Sequence, residues 1–564
     1  MASWDRCHDR YPTCLSPFEL APQEQQEVAV STTFAPLQIP LFRNLWVSSM
    51  ISSLGAMIQT VAAAWMMTSL TGDAQMVALV QTFTTLPMML LSLPSGALAD
   101  IYDRRRLMLL AQTVMLIVAT GLSIATFLSM MTPLMLLVVT FMIAAGTSLH
   151  SPAWQASILE IVERGELDSA ASLNSAGFNV ARSVGPAAGG IIVATAGVAA
   201  AFTANAISYL ALIFTLLRWR KVPARPPLPP EPVTSAILAG VRYVALSPSL
   251  RAIIVRAGAF GLAGSGIWAL TAIYARDSLD GDASTFGILL GGFGVGAIGG
   301  ALVRTRLGKS RERIVRIGTL TFGAGAILLS FTTNMLLAIA LMVFCGAAWV
   351  TVLTSLGVSV QILTPRWVVG RAIATNQVCI FAGMAFGSWL WGFVAQNASV
   401  NIAYLASGLT MIVSLILTIP FRLIEQEYLD LTPARTRPLD DYQGSMEPND
   451  GPIVVSLEYR VKPEHAVRFA EAMREIGQAR KRNGAQRWAL YQDLNNPCRW
   501  IERFHSPTWM DHLRRQIRPT ITDQLLLERV RHLYDDPMKV ARLIDRSRAP
   551  REQGKRAPIV QWPF

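Results

Sequence analysis

Arg182 stands where an arginine is costly. It interrupts the apolar run 173–219, about midway along the fifth expected helix. A cation inside a membrane span costs roughly 2.5–3.5 kcal/mol on insertion scales, so it has to face a partner or water. An anionic ligand would satisfy it, and so would snorkelling of the side chain to the nearer surface; the sequence weighs the two equally. Asn174 and Asn179 share its segment. Together with Asn174, the amides of Gln59, Gln81, Asn376 and Gln377 on other apolar runs could add hydrogen bonds along a pathway through Arg182. Trp65, Trp154, Trp268, Trp349 and Trp389 could supply an aromatic wall, although intramembrane Trp more often anchors at the interface. Arg256 interrupts another apolar run nearer its end and reads as a snorkelling anchor.

A second cluster closes one apolar run and opens the next: Gly96-Ala97-Leu98-Ala99-Asp100-Ile101-Tyr102-Asp103-Arg104-Arg105-Arg106-Leu107. Lipid cannot hold that charge, so the cluster belongs in a short loop at a membrane surface. Asp100 and Arg104 are four apart and would face each other on a continuing helix. A bare basic triplet is most often a topological anchor, with Asp100 as its counter-ion. The third constellation is Asn179-Val180-Ala181-Arg182-Ser183-Val184-Gly185-Pro186-Ala187-Ala188-Gly189-Gly190. Pro186 removes an amide donor and kinks a helix. Gly185 and Gly189 make a face that admits another helix closely. Gly292, Gly296 and Gly300 answer it at the same spacing, as do Gly383 and Gly387.

Long apolar helices are needed to position these residues. Of 564 residues, 52% are hydrophobic and 15% charged, where soluble domains carry about 25% charged residues. Mean hydropathy is +0.39 even with polar ends included. Charge-free runs at 45–72, 74–99, 107–149, 283–303, 317–365 and 372–421 join 173–219 and 250–275. Splits at Met131-Thr132-Pro133, Thr333-Asn334 and Gln396-Asn397-Ala398 give twelve spans, each near the roughly 20 residues a membrane requires. The expected fold is an all-α polytopic membrane protein with twelve transmembrane helices. Its order is an N-terminal tail (1–40), a six-helix half (41–219), a linker (220–249), a second half (250–424), a polar linker (425–450), a small domain (451–545) and a basic tail (546–564).

Seventeen Lys and Arg, from Arg104 to Arg371, fall in loops 2–3, 4–5, 6–7, 8–9 and 10–11 or beside them, against Arg276 in the opposite set. Cations favour the cytoplasmic side, so both termini are expected in the cytoplasm at the inner (plasma) membrane. The net charge of +12 therefore meets lipid rather than nucleic acid. The halves look duplicated. Gly96-Ala97-Leu98 recurs 204 residues on as Gly300-Ala301-Leu302, and Asn174, Gly185 and Gly190 recur 202 on as Asn376, Gly387 and Gly392. Cysteines at 7, 14, 345, 379 and 498 form no CxxC and read as free thiols, and no metal-ligand cluster is evident.

Beyond residue 422 the composition becomes polar. Alternation predicts a strand at 453–461, a helix at 463–482 and a hairpin of 486–494 with 498–505 around Asn495-Asn496-Pro497. Helices are predicted at 507–517 and 519–534, with a closing strand near 538–544. This order suggests a cytoplasmic α+β ferredoxin-like domain. His512, near Trp509 and Arg518, could be a ligand or a base, but a lone histidine is mostly structural.

The cluster from Gly96 to Leu107 resembles the hallmark loop between helices 2 and 3 of the major facilitator superfamily. Gly185-Pro186 followed by Gly189-Gly190 resembles the helix 5 motif of its antiporters. Phe42-Arg43-Asn44-Leu45-Trp46, Ser151-Pro152-Ala153-Trp154-Gln155-Ala156, Ala171-Ser172-Leu173-Asn174-Ser175 and the helix 5 run resemble the enterobactin-exporter-like branch, which includes siderophore exporters and macrolide efflux proteins. The resemblance covers roughly 40–425. It implies rocking halves and export of a small amphipathic substrate, driven by the proton gradient without a cofactor. It also implies a conformational latch of Gly96, Asp100, Arg104, Arg105 and Arg371, in which Asp100 holds helix 2 against the start of helix 11. Ile101 replaces a usual cation and Asp103 a usual glycine. Intramembrane carboxylates are nearly absent, apart from the loop residues Asp100 and Glu160, so no proton carrier is located. The tail domain resembles dimeric α+β barrels that include small monooxygenases, implying a homodimer through it. A bifunctional protein with a catalytic or ligand-sensing tail, or an importer of the same fold, would share these features.

Overall fold

The computed structural model describes residues 34–163, 166–219, 233–304, 310–423, 430–432, 434 and 446–546. The tail 1–33, the centre of the first linker, most of the second, the terminal basic tail and the Asp100 side chain lie outside them. A bilayer interior leaves backbone amides no partner but the helix itself. Helices accordingly fill the apolar runs, and one further helix, α6, forms in the linker: α1 (Pro40–Leu70), α2 (Ala74–Ile101), α3 (Arg104–Phe127), α4 (Pro133–Ile161), α5 (Leu167–Arg218), α6 (Val233–Ala245), α7 (Pro248–Asp277), α8 (Ala283–Arg304), α9 (Arg311–Leu329), α10 (Met335–Ile362), α11 (Val369–Asn397) and α12 (Val400–Val413). Ten of the described helices are long and apolar enough to cross a membrane. Polar residues at the breaks start the next helix. Asp73, Asp103, Thr132, Asn334 and Ser399 each accept a bond from a first-turn amide of α2, α3, α4, α10 and α12. Asp103 is thus a cap. The chain leaves helical geometry at Tyr102, so Asp100 and Arg104 lie on two helices and not on one continuing turn.

At 52 residues α5 would run about 78 Å, more than twice a hydrocarbon core. It breaks at Gly197, whose φ of 83° and ψ of 169° suit glycine. Contacts with α1 show the chain reversing there. Trp46 bonds the Leu173 carbonyl, and Met57 and Ile58 lie against Gly185 and Gly189. In the second section the order inverts, with Ser48 on Thr215 at 2.8 Å and Gly55 against Ser208.

The two halves pack alike. α1 lies on α5 as α7 lies on α11, α2 on α4 as α8 on α10, and α3 on α4 as α9 on α10. Between halves, α2 meets α11 and α5 meets α8. The glycine faces divide differently from the sequence expectation. Gly185 and Gly189 serve α1, and Gly292, Gly296 and Gly300 serve α10. The α5–α8 approach is made by Gly190 and Gly287, where a Cβ on either would lie 2.8 Å from the other's Cα.

After α12 the tail forms β1 (Ile453–Arg460), α13 (Ala466–Arg482), β2 (Gln486–Gln492), β3 (Arg499–Ser506), α14 (Trp509–Ile517), α15 (Ile521–Arg531) and β4 (Asp535–Ile544). The sheet is antiparallel in the order β2-β3-β1-β4. One face, with Val455, Leu457, Tyr459, Trp500 and Phe504, is covered by Phe469, Met473 and Ile476 of α13. The domain rests on the membrane part through two arginines. Arg518 stacks 4.1 Å from the ring of Trp367 in the α10–α11 loop, and Arg482 lies 5.5 Å from the ring of Tyr243 on α6.

Candidate functional site

A cavity of about 550 Å³ lies between the halves. Its lining comes from α1, α3, α4, both sections of α5, α8 and α10, all nearer the end that carries the Arg104–Arg106 cluster. A larger groove of about 640 Å³ at the start of α9 is lined only by α9 and the segment after α12. The central cavity is the one that both halves build.

Arg182 enters this cavity from α5. Its guanidinium lies over Trp268 at 4.9 Å, Phe293 at 5.7 Å and Trp349 at 6.0 Å, all from the other half. The negative π faces hold the cation without neutralising it. Trp268 packs edge-on to Phe293 and lies 6.1 Å from Trp349, which makes the cage one aromatic unit. On the N-terminal half, Trp154 donates to Asn174 Oδ1 at 2.9 Å and Trp46 donates to the Leu173 carbonyl at 3.1 Å. Asn179, Ser49, Ser53, Thr147 and Ser151 leave polar atoms along the wall, among Met50, Met115 and Phe178. Such a surface can receive an aromatic or apolar body and fix one anionic or hydrogen-bonding head.

The structure selects among the expected pathway residues. Asn174 and Arg182 line the cavity; Gln59, Gln81, Asn376 and Gln377 do not. Gln59 is buried against Asn205 Nδ2, whose amide also donates to Tyr209 Oη at 3.1 Å, so it ties α1 to the second section of α5. Asn376 is buried in α11, and Gln377 is exposed on the outer surface of that helix. Of the proposed aromatic wall, Trp154 and Trp349 line the space and Trp268 backs Arg182, while Trp65 and Trp389 stand apart. Sequence reasoning missed His150, Trp46, Phe178 and Tyr209. Thr147, His150, Ser151 and Trp154 recur on one face of α4 at helical spacing, a signal that was present.

Arg256 does not snorkel. It is buried, and its Nη1 pairs with Glu312 Oε2 at 2.6 Å, while Glu312 also accepts from Arg316 Nε at 2.6 Å and the Leu423 amide at 3.1 Å. At the loop between α2 and α3, Arg104 donates at 2.8 Å to both Glu160 Oε1 and the Ala156 carbonyl of α4. Arg105 donates to the carbonyls of Leu216 and Leu217 at 2.7 and 3.0 Å. Arg371 lies in the first turn of α11, its side chain passing Gly240 of α6. Gly96 has open space where a side chain would be, so no helix approaches it closely.

In the tail domain His512 is buried, stacked on Trp509 at 5.3 Å, with Nδ1 3.3 Å from Arg515 Nη2 and Nε2 2.9 Å from Gln516 Nε2. Burial, then the charges of Arg515 and Arg542, lower its pKa to about 4. Both ring nitrogens are engaged, which leaves no free position for a ligand. Among the described residues no group of His, Cys, Asp or Glu could hold a metal ion.

The profile of the transmembrane secretion effector family matches residues 31–549. The multidrug efflux pump Tap of Mycolicibacterium fortuitum is 24% identical over 399 residues, covering 68% of this chain and 94% of that protein. The enterobactin exporter EntS of Escherichia coli (strain K12) is 26% identical over 419 residues, covering 71% and 96%. Among solved structures, a POT family transporter in complex with 5-aminolevulinic acid superposes with a TM-score of 0.56 at 15% identity, covering 67% of this chain and 95% of that one. A bacterial homolog of the human lysosomal transporter Spinster gives 0.53 at 15% identity, covering 69% and 96%. At such identity the structures speak for the fold alone.

Proposed function

The chain belongs to the transmembrane secretion effector family of the major facilitator superfamily, and from that premise we propose that it exports a small amphipathic molecule, a siderophore or a drug, by alternating access driven by the proton gradient. The family and the relatives are transporters, not enzymes. One observation carries the reading: Arg182 of the first half is held by three aromatic rings of the second, at a cavity both halves line. Rocking of the halves would pull the cation from its cage and change the site's affinity, which transport requires.

Twelve spans are supported by the reversal at Gly197 and by α9, which pairs with α10 and α12 as α3 pairs with α4 and the end of α5. The cation bias of the loops supports cytoplasmic termini at the inner membrane. Packing of α2 on α11 between the halves supports the latch reading of Asp100 against the α11 start. The strand order β2-β3-β1-β4 supports a ferredoxin-like tail, and the face of its sheet that α13 does not cover is where a second copy would pair.

The test is accumulation of enterobactin, erythromycin and ethidium in cells with and without the protein, each with and without a protonophore. Lower accumulation that the protonophore abolishes is the expected result. Unchanged accumulation of all three refutes the export reading.

A further inference from the structure

The export reading requires a proton-binding group, and the buried carboxylate among the described membrane helices, Glu312, is held by Arg256 and Arg316 away from the central cavity. We propose that His150 carries the coupled proton, and that proton and substrate occupy the central cavity alternately. Of the chain's six histidines, His150 alone falls among the membrane helices; the others are at 8, 465, 505, 512 and 532. It lines the cavity from α4, one turn from Trp154 and Thr147. Its Nδ1 is buried with no hydrogen-bond partner among the described residues. A buried polar atom without a partner calls for a functional reason.

The surroundings favour this residue over any other. α4 packs on α2, α3, α1 and α5. Their ionisable groups are Arg43, Asp100, Arg104, Arg105, Arg106, Asp168, Arg182, Tyr209 and Arg218, with Glu160 on α4 itself. Of these, Arg182 and Tyr209 line the cavity with His150. Arginine stays charged and tyrosine stays neutral across the working range, whereas an imidazole changes charge near neutrality. Helices α8 and α10, which complete the wall, carry no His, Asp or Glu.

Coupling follows from solvation. In an open, wet cavity a proton from water adds to the lone pair of the neutral imidazole, and water solvates the imidazolium against Arg182. A substrate that fills the space sets its polar head on Arg182 and lays its apolar surface over His150. Water leaves, the charged form is disfavoured, and the N–H bond breaks to return the proton to the last water. Proton entry from the other side reverses the sequence. One proton and one substrate thus exchange, which is antiport.

The experiment uses the full chain in lipid nanodiscs, as wild type and as H150Q. Intrinsic fluorescence is followed from pH 5 to 8, because Trp46 and Trp154 line the cavity. A transition present in wild type and missing from H150Q is expected; superimposable curves overturn the proposal. In proteoliposomes, enterobactin serves as probe, because its catechol groups can set an anionic or hydrogen-bonding head on Arg182. H150Q and H150N should keep enterobactin exchange at equal pH and lose gradient-driven accumulation by about tenfold or more. Preserved accumulation overturns the proposal, and so does loss of both processes in both variants, which would make His150 structural. Wild type that moves no enterobactin counts against the export reading, and the fluorescence arm still decides His150.

Discussion

Arg182 and Arg256 sit inside helices of the two halves, and the protein satisfies them by opposite means. Arg256 meets a carboxylate at 2.6 Å, and that carboxylate has two further donors. Arg182 meets three ring faces and an open cavity. A buried ion pair closes its own electrostatic account and is available to nothing else. A cation on aromatic faces keeps most of its field and its donors, so an anionic or electron-rich head can still gain by approaching. Arg256 therefore fixes the second half at its α7–α9 joint, while Arg182 keeps a binding position open where the halves meet.

The largest effect that would sharpen this contrast is on Arg256. R256M strands Glu312 in a buried site, partly relieved by Arg316, and should cost about 3 kcal/mol. Thermal unfolding of the solubilised full chain should show it, and the double variant R256M/E312Q should recover much of the loss. An unchanged midpoint would break the comparison. R182M should leave the midpoint nearly unaltered, since the cage is apolar. It should weaken the apparent affinity for an anionic substrate by the worth of a charge-assisted hydrogen bond, about 1.5–3 kcal/mol, or roughly ten- to hundredfold in concentration dependence. R182K should not rescue fully, because a point charge cannot spread over three rings as a planar guanidinium does.

The contrast also explains what could be read in advance. Span positions were legible because lipid leaves the backbone no alternative to a helix, and Thr132 and Asn334 marked two of the starts. The tail's strands were legible through alternation, with β1 at Ile453–Arg460 where 453–461 was expected. Facing was not legible. A helix that is apolar all round carries no stripe to show which side meets the cavity, so Gln59 and Gln377 looked as eligible as Asn174. The Arg256–Glu312 pair spans 56 residues and two helices, beyond any local pattern. Asp100 and Arg104 misled because their spacing assumed a helix that ends at Ile101.

A third buried arginine lies between the two extremes. Arg515 stacks 4.2 Å from Phe504 as Arg182 stacks on its cage, yet it also donates to His512 Nδ1 at 3.3 Å. Burial, then the charge of Arg480, lower its pKa to about 9. An acceptor at Nδ1 must be a neutral imidazole. His512 has a folded pKa of about 4 against the ordinary histidine value of 6.5, so the unfolded chain binds the extra proton between these values. Stability of the tail is then complete above pH 6.5 and falls as pH drops toward 4, by about 2 kcal/mol at pH 5. Hydrogen exchange in β3 and α14 of the full chain should accelerate over that window, and H512Q should flatten the response.

The smallest effect belongs to the hydrated end of the series. Arg104 and Glu160 meet at 2.8 Å, with side chains 22% and 32% exposed. Water already solvates both ions there, so E160Q should change the thermal midpoint by less than the equivalent of about 1 kcal/mol. The Ala156 carbonyl still accepts from Arg104 in that variant, which keeps the loop in place. D100N, at the latch position on the preceding helix, should likewise leave insertion and the midpoint intact. It should nonetheless impair transport, measured as protonophore-sensitive enterobactin accumulation, because its charge would be needed in one state of the cycle only. Equal transport by wild type, E160Q and D100N would reduce the whole loop to a topological anchor and leave Arg182 as the charge that distinguishes function from insertion.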